Sequence, residues 1–327
     1  MRSALRTPPT HLSAWSEVNL RGWHAFTKIP KTEISKPKTC FMKLLIAGAA
    51  GQLGQALLRE AAARNWEAVG ADLERMDITD PRAIRQQLAR HRPEVVANAA
   101  AATRVDDLEQ DADLALKVNG LGPRNLAVAC RQLGCKLIHL SSDYVFDGAK
   151  DRPYLEWDAP GPLSIYGRSK LLGEELVRQQ CPDHFIVRTA WLYGLPGPNF
   201  VTAILGKGRS LPPGQELRVV NDQRGSPTST LALAPQLLAL AQTEAFGTYH
   251  ATCQGETSWY EFARLIVKTA GLRVAVAPCS TAEYPLPARR PANSVLANRL
   301  LKLQGLDQMP HWQTAFREFW EIFGERL

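Results

Sequence analysis

The chain has 327 residues, 45% of them hydrophobic, enough to fill the core of one large α/β unit or two coupled lobes and too apolar for disorder throughout. Its formal charge of +7 is concentrated in residues 1–41, which hold seven Lys or Arg against two acidic residues; the remainder is nearly neutral, which argues against a basic groove for nucleic acid. Six scattered cysteines form no CxxC pair and no framework spacing, which fits reduced thiols and a cytoplasmic location, and no apolar run approaches the roughly 20 residues needed to span a bilayer.

Residues 1–41 mix Arg, Lys, Pro, Trp and His without sustained periodicity. They are expected to be a disordered N-terminal extension, with a partner-binding arm or a targeting leader as alternatives. From Met42 the pattern changes abruptly. Leu44–Ala47, Ala68–Ala71, Val95–Ala97 and Leu137–Leu140 read as buried strands, and Gln52–Arg64, Pro81–Arg90 and Asp111–Leu133 as helices. Asp80 before Pro81 is a cap, and Gly134 a C-terminal stop. Strands alternating with helices predict a parallel sheet covered on both faces.

After Leu140 the pattern loosens, and the Gly and Pro breaks over Leu195–Gly225 read as loop. Helical periodicity resumes at Ser164–Gln180, Thr230–Thr243, Ser258–Ala270 and Trp312–Phe323. The fold class is α/β, a Rossmann-type doubly wound parallel sheet with a smaller C-terminal α/β substrate lobe. The dinucleotide-binding core is expected over residues 42–192, with 229–252 returning to it; residues 193–228 and 253–327 are expected to form the substrate-binding lobe.

Gly48, Gly51 and Gly54 follow a predicted strand and open a predicted helix. Without side chains there, backbone can approach a pyrophosphate, and a helix N-terminus offers free amides and partial positive charge. Asp72, at the end of the next strand, suits an adenosine ribose, whereas Arg75 suits a 2′-phosphate, so NADPH and NADH both stay open. Asp77 and Ile78 are candidates for the adenine, the Asn98 amide is expected at the carboxyl edge of the sheet, and Ala99–Ala102 leave room for a flat ring.

Tyr166 and Lys170 are four residues apart, hence on one helix face. A free phenol has a pKa of about 10, and a neighbouring ammonium is expected to lower it by stabilising the phenolate. Ser142, at the end of a predicted strand, is expected to project its hydroxyl to where a carbonyl oxygen develops charge. Glycine cradle, strand-end hydroxyl and tyrosine–lysine pair together point to a nicotinamide-dependent carbonyl reductase.

These residues resemble the extended short-chain dehydrogenase/reductase superfamily. Ala99–Asp106, Ser142–Gly148, Arg188–Gly194, Asp222–Thr228, Thr257–Ala263 and Arg289–Ser294 are similar, more closely, to the dTDP-4-dehydrorhamnose reductase family, over residues 42 to about 325. The resemblance implies reduction of the 4-keto group of dTDP-4-dehydro-6-deoxy-L-mannose to dTDP-L-rhamnose by NADPH, with NADH also admitted. It implies Tyr166 as proton donor, Lys170 as the group orienting the cofactor, and Ser142 as helper. Thr103, Ser142, Asp143 and Trp191 would face the sugar. Cofactor contacts would fall on Gly48, Gly51, Gln52, Leu53, Gly54, Asp72, Asp77, Ile78, Ala100, Ala101, Ala102, Tyr166 and Lys170, and Arg289, Arg290 and Asn293 are candidates for the diphosphate or thymidine.

Some family members carry a glutamate two residues after the third glycine that serves a magnesium-bridged dimer. Ala56 stands there, so no metal and a monomer or weak homodimer are expected. Another nucleotide-sugar reductase or epimerase, or a non-catalytic regulatory subunit similar to the methionine adenosyltransferase β subunit, are the alternatives. Trp191 favours the reductase over the subunit.

Overall fold

Each central strand turns alternate side chains to opposite faces of one sheet, and both faces are dry. Strand β1 (Lys43–Ala47) sends Leu44 and Ile46 into one apolar cluster and Leu45 and Ala47 into another. Strands β2 (Glu67–Ala71), β3 (Val95–Asn98), β4 (Lys136–Ser142) and β5 (His184–Thr189) run parallel to it. The sheet order is Gly247–His250, β5, β4, β3, β1, β2. The computed structural model describes residues 42–327; the expectation of a disordered extension over residues 1–41 lies outside them.

The chain leaves β1 towards β2 and then returns to β3 on the other side of β1. Such a reversal opens a crevice at the carboxyl ends of β1 and β3, which is where ligands enter doubly wound sheets. Helices α1 (Gln52–Ala63) and α2 (Pro81–His91) begin differently. Asp80 caps α2 by accepting from the Arg82 amide at 2.8 Å, while Gly51 gives α1 no side-chain cap. The first amides of α1 are therefore unspent.

The single helix expected over Asp111–Leu133 is interrupted. Ala112–Ala115 is α-helical, Leu116–Leu121 is a π turn, and the α-helix resumes over Gly122–Leu133 before Gly134 ends it at φ 68°. Asn119, in the π turn, reaches out of the ladder: it accepts from the Ala102 amide at 2.9 Å and donates to the Ala102 carbonyl at 3.0 Å and to Ser169 Oγ at 3.1 Å. A widened turn lets one side chain tie the β3 loop to the Tyr166 helix.

The stretch read as loop over Leu195–Gly225 contains a helix, Phe200–Ser210, started by a reciprocal cap between Asn199 and Thr202. Gly206 and Gly208 inside it disguise the periodicity. Strand β5 was not anticipated either, because His184, Arg188 and Thr189 break its apolar run although every residue is buried. Helix Thr230–Ala241 packs on α1, Gly247–His250 joins β5, and Glu216–Val220 pairs in parallel with Ala275–Cys279. Among the described residues, no helix is long and apolar enough to cross a membrane, and no group of three or more His, Cys, Asp or Glu side chains is placed to hold a metal ion.

Candidate active site

A cavity of about 610 Å³ lies at the carboxyl edge of the sheet. Its walls are Gly51–Gly54 from the β1 turn, Ala99–Ala101 and Thr103 after β3, Ser141–Tyr144 after β4, Tyr166 and Lys170 from the Ile165–Gln180 helix, and Thr189–Leu192 after β5. Four strand ends and one helix thus converge on one space.

The glycine turn is shaped by close approach. Gly48 takes φ 73°, and a Cβ on Gly54 would stand 2.3 Å from the Gly48 carbonyl, so backbone replaces side chain at both positions. Gln52, Leu53 and Gly54 line the cavity, and Gln52 Oε1 is buried there without a partner. An uncapped helix start and a cradle that a Cβ would fill suit a dinucleotide phosphate.

The remaining cofactor candidates are placed otherwise. Gly48, Asp72, Asp77, Ile78 and Ala102 do not line this cavity. Asp72 Oδ1 accepts from the Ala50 amide at 2.7 Å, so that carboxylate braces the glycine turn. Asp77 Oδ1 accepts from Thr79 N at 2.8 Å, Ile78 is buried in the core, and both backbone polar groups of Ala102 are bonded to Asn119. Asn98 is spent internally too, between His139 Nδ1 at 3.1 Å and the Ala100 amide at 3.2 Å.

Ser164 caps the Ile165–Gln180 helix by accepting from Gly167 N at 3.1 Å, which sets Tyr166 in its first turn. Gly167 is packed under Tyr144, where a Cβ would lie 2.2 Å from the Tyr144 carbonyl. The Tyr144 and Tyr166 rings meet edge to face at 5.5 Å. Lys170 is buried and donates to the Leu140 carbonyl at 2.5 Å.

The expected lowering of the phenol is not what this geometry produces. Burial pushes the Tyr166 phenol up to about 12, against a smaller downward pull from the Ser142 hydroxyl and an upward push from Asp143. Burial also brings Lys170 down to about 8, partly offset by Glu174 one turn later. Glu174 is itself held by Arg188 in a buried two-pronged pair, 2.8 and 2.7 Å, and accepts from Ser141 Oγ at 2.6 Å. At neutral pH the site therefore holds a protonated phenol and a mostly protonated amine.

Ser142 Oγ donates to Asp143 Oδ1 at 2.7 Å and accepts from Tyr144 N at 3.2 Å. The other Asp143 oxygen is buried without a partner, and burial raises this carboxyl to about 6. Trp191 adopts φ 48°, a left-handed backbone rare for an aromatic residue, and turns its indole onto Trp259, centroids 3.4 Å apart and 4° from parallel. Its Nε1 donates to Ser294 Oγ at 3.1 Å. Trp191 lines the main cavity and Trp259 a second one of about 430 Å³, which Phe200, Lys207, Arg218, Tyr284 and Arg289 also line.

Of the C-terminal candidates, Arg289 and Arg290 face that second cavity. Asn293 is occupied elsewhere, donating to the Lys150 and Arg152 carbonyls at 2.8 and 3.1 Å. Tyr144 and Thr189 also line the main cavity, and Asn119 ties its β3 loop to the Tyr166 helix; sequence reasoning singled out none of the three.

The model of the RmlD substrate binding domain matches residues 42–324. The dTDP-4-dehydrorhamnose reductase of Streptomyces griseus is 43% identical over 281 residues, 84% of this chain and 91% of that protein. The spore coat polysaccharide biosynthesis protein SpsK of Bacillus subtilis is 41% identical over 277 residues, 85% of this chain and 96% of that one. Among solved structures, dTDP-4-dehydrorhamnose reductase from Bacillus anthracis in complex with NADP superposes with a TM-score of 0.83 at 39% identity, covering 86% of this chain and 99% of that one.

Proposed function

Because this chain belongs to the dTDP-4-dehydrorhamnose reductase family, we propose that it reduces the 4-keto group of dTDP-4-dehydro-6-deoxy-L-mannose to give dTDP-L-rhamnose, with NADPH as reductant. It is an NAD(P)H-dependent oxidoreductase. The observation that carries the reading is that one cavity is lined by the glycine cradle, by Ser142, Tyr166 and Lys170, and by the Trp191 indole.

Gly51, Gln52, Leu53 and Gly54 hold the phosphates, and Ala100 and Ala101 leave a flat slot for the nicotinamide, which when bound supplies the hydride for C4 of the sugar. Tyr166 delivers the proton to the ketone oxygen. A phenol raised to about 12 keeps that proton until negative charge develops on the ketone oxygen. Ser142 offers its hydroxyl to the same oxygen, and Lys170, one turn on along the same helix face, orients the cofactor through its nicotinamide ribose hydroxyls. Thr103 and Asp143 contact the sugar hydroxyls, and Trp191 covers an apolar sugar face.

Residues 193–228 and 253–327 act as the substrate lobe, and the second cavity beside Trp259 takes the nucleoside end. The molecule works in the cytoplasm as a monomer or weak homodimer. The five cysteines among the described residues, all free and buried, are consistent with a reducing compartment.

The test is consumption of NADPH and of NADH with the dTDP-4-keto-sugar, followed by identification of the product. Stoichiometric oxidation with formation of dTDP-L-rhamnose is expected. Absence of turnover with either nucleotide would refute the assignment.

A further inference from the structure

Residues 103–110 form a strap beside the main cavity, which Thr103 and Val105 line. The strap is held at two points. Near its end, Glu109 Oε1 accepts from Ile165 N at 2.8 Å, at the first residue of the helix that carries Tyr166. In its middle, Asp106 is gripped by a segment far downstream: Arg290 donates through one nitrogen to Oδ1 at 3.0 Å and through the other to Oδ2 at 2.7 Å, and Ala288 N donates to Oδ1 at 3.1 Å.

This two-pronged ion pair is specific in direction, because a guanidinium fork matches a carboxylate in one plane only. It is also shielded, with side-chain exposures of 33% for Asp106 and 17% for Arg290. Arg290 and Ala288 line the second cavity. Three residues beyond Asp106 the strap holds the first residue of the Tyr166 helix through Glu109, and the Tyr144 ring meets Tyr166 edge-on in the main cavity. The pair therefore anchors, from the second cavity, the same strap that Glu109 ties to the start of the Tyr166 helix.

We infer that Asp106 is a positioning residue for the reduction: paired with Arg290 it holds residues 103–110 in place and, through Glu109 and Ile165, the start of the helix from which Tyr166 presents its proton. This rests on the reductase reading. Nothing in it requires Asp106 to touch substrate or cofactor. Misalignment by about 1 Å is enough to cost up to about 10²-fold in rate.

The test compares wild type with Asp106→Asn, Asp106→Glu and Arg290→Lys in three measurements. These are kcat and KM with the dTDP-4-keto-sugar, NADPH affinity by fluorescence titration without sugar, and melting temperature. Asp106→Asn is expected to lower kcat on the order of 10- to 100-fold, with NADPH affinity and melting temperature nearly unchanged. Asp106→Glu, which restores the charge, should recover most of the rate, and Arg290→Lys, which keeps charge without the fork, should not.

Unchanged kcat in Asp106→Asn overturns the inference. So does a fall in kcat matched by equal losses of NADPH affinity and melting temperature, since the pair would then merely hold the fold. If Asp106→Asn does not fold, rescue by Asp106→Glu with failure of Arg290→Lys supports the inference, and equal activity of those two overturns it. No turnover by wild type would instead sink the reductase reading itself and take this inference with it.

Discussion

Beside α1 the main cavity is walled by backbone and small side chains, Gly51, Gly54 and Ala99–Ala101, whereas beside the Ile165–Gln180 helix it is walled by Asp143, Tyr144, Tyr166 and Lys170. On the proposed function, the first wall recognises by shape and by unspent amides, and it fails when volume is added. The second then works through protons held at particular atoms, and it fails when a proton is lost or misplaced. Damage to one wall should therefore be separable from damage to the other.

The largest separation is expected from Tyr166→Phe, which keeps the ring and removes the proton. Turnover should fall about 10²- to 10⁴-fold while NADPH affinity stays near wild type. Steady-state kinetics beside a fluorescence titration read both, and a loss of affinity as large as the loss of rate would break the division. Gly54→Val attacks the opposite wall. With even a Cβ at 2.3 Å from the Gly48 carbonyl, the turn must shift. NADPH affinity should drop roughly 100-fold, equivalent to about 2.7 kcal/mol, and the fold should lose about 1–3 kcal/mol from overpacking.

Asp143 sharpens the contrast through stability. Its carboxyl is raised to about 6 in the folded chain, so stability is fully present at pH values below its unfolded pKa and is lost as pH rises through 6, when a buried group must ionise. Asp143→Asn should then be more stable than wild type at pH 8 by on the order of 2–3 kcal/mol, with the gap closing near pH 4. Chemical denaturation at the two pH values checks it, and a gap that does not depend on pH contradicts it.

The smallest effect is a rate limb. Lys170, lowered to about 8 by burial, loses its ammonium above that pH, so kcat/KM should decline about tenfold per pH unit there while the Tyr166 phenol is still protonated. A profile flat to pH 10 would remove Lys170 from the proton inventory.

What could be read from the sequence follows the same division. The glycine turn, the Tyr166–Lys170 pair and the Ser142 strand end are each encoded within a few residues, because local backbone geometry alone puts those groups at a sheet edge. Strand β5 escaped because Arg188 looks too polar for an interior strand; it is neutralised by Glu174, fourteen residues away and on another element. The Phe200–Ser210 helix escaped because its two internal glycines mimic a loop, and its cap is made by Asn199 and Thr202 side chains whose reciprocity no periodicity reveals.

Asp72 and Asn98 were legible as strand-end polar residues but not in their bonding. Each side chain is taken by the chain's own amides or imidazole, and that depends on where a neighbouring loop folds back. Arg290 is the extreme case, since its carboxylate partner lies 184 positions earlier in the chain.

The face-to-face indoles of Trp191 and Trp259 sit where the two cavities adjoin. Chromophores so close and so nearly coplanar share their excited states, so near-ultraviolet dichroism and emission from this pair report on a joint transition rather than on two separate rings. A molecule entering either chamber alters the environment of one member and thereby the spectrum of both. The protein carries its own optical gauge of occupancy at the boundary between the chambers.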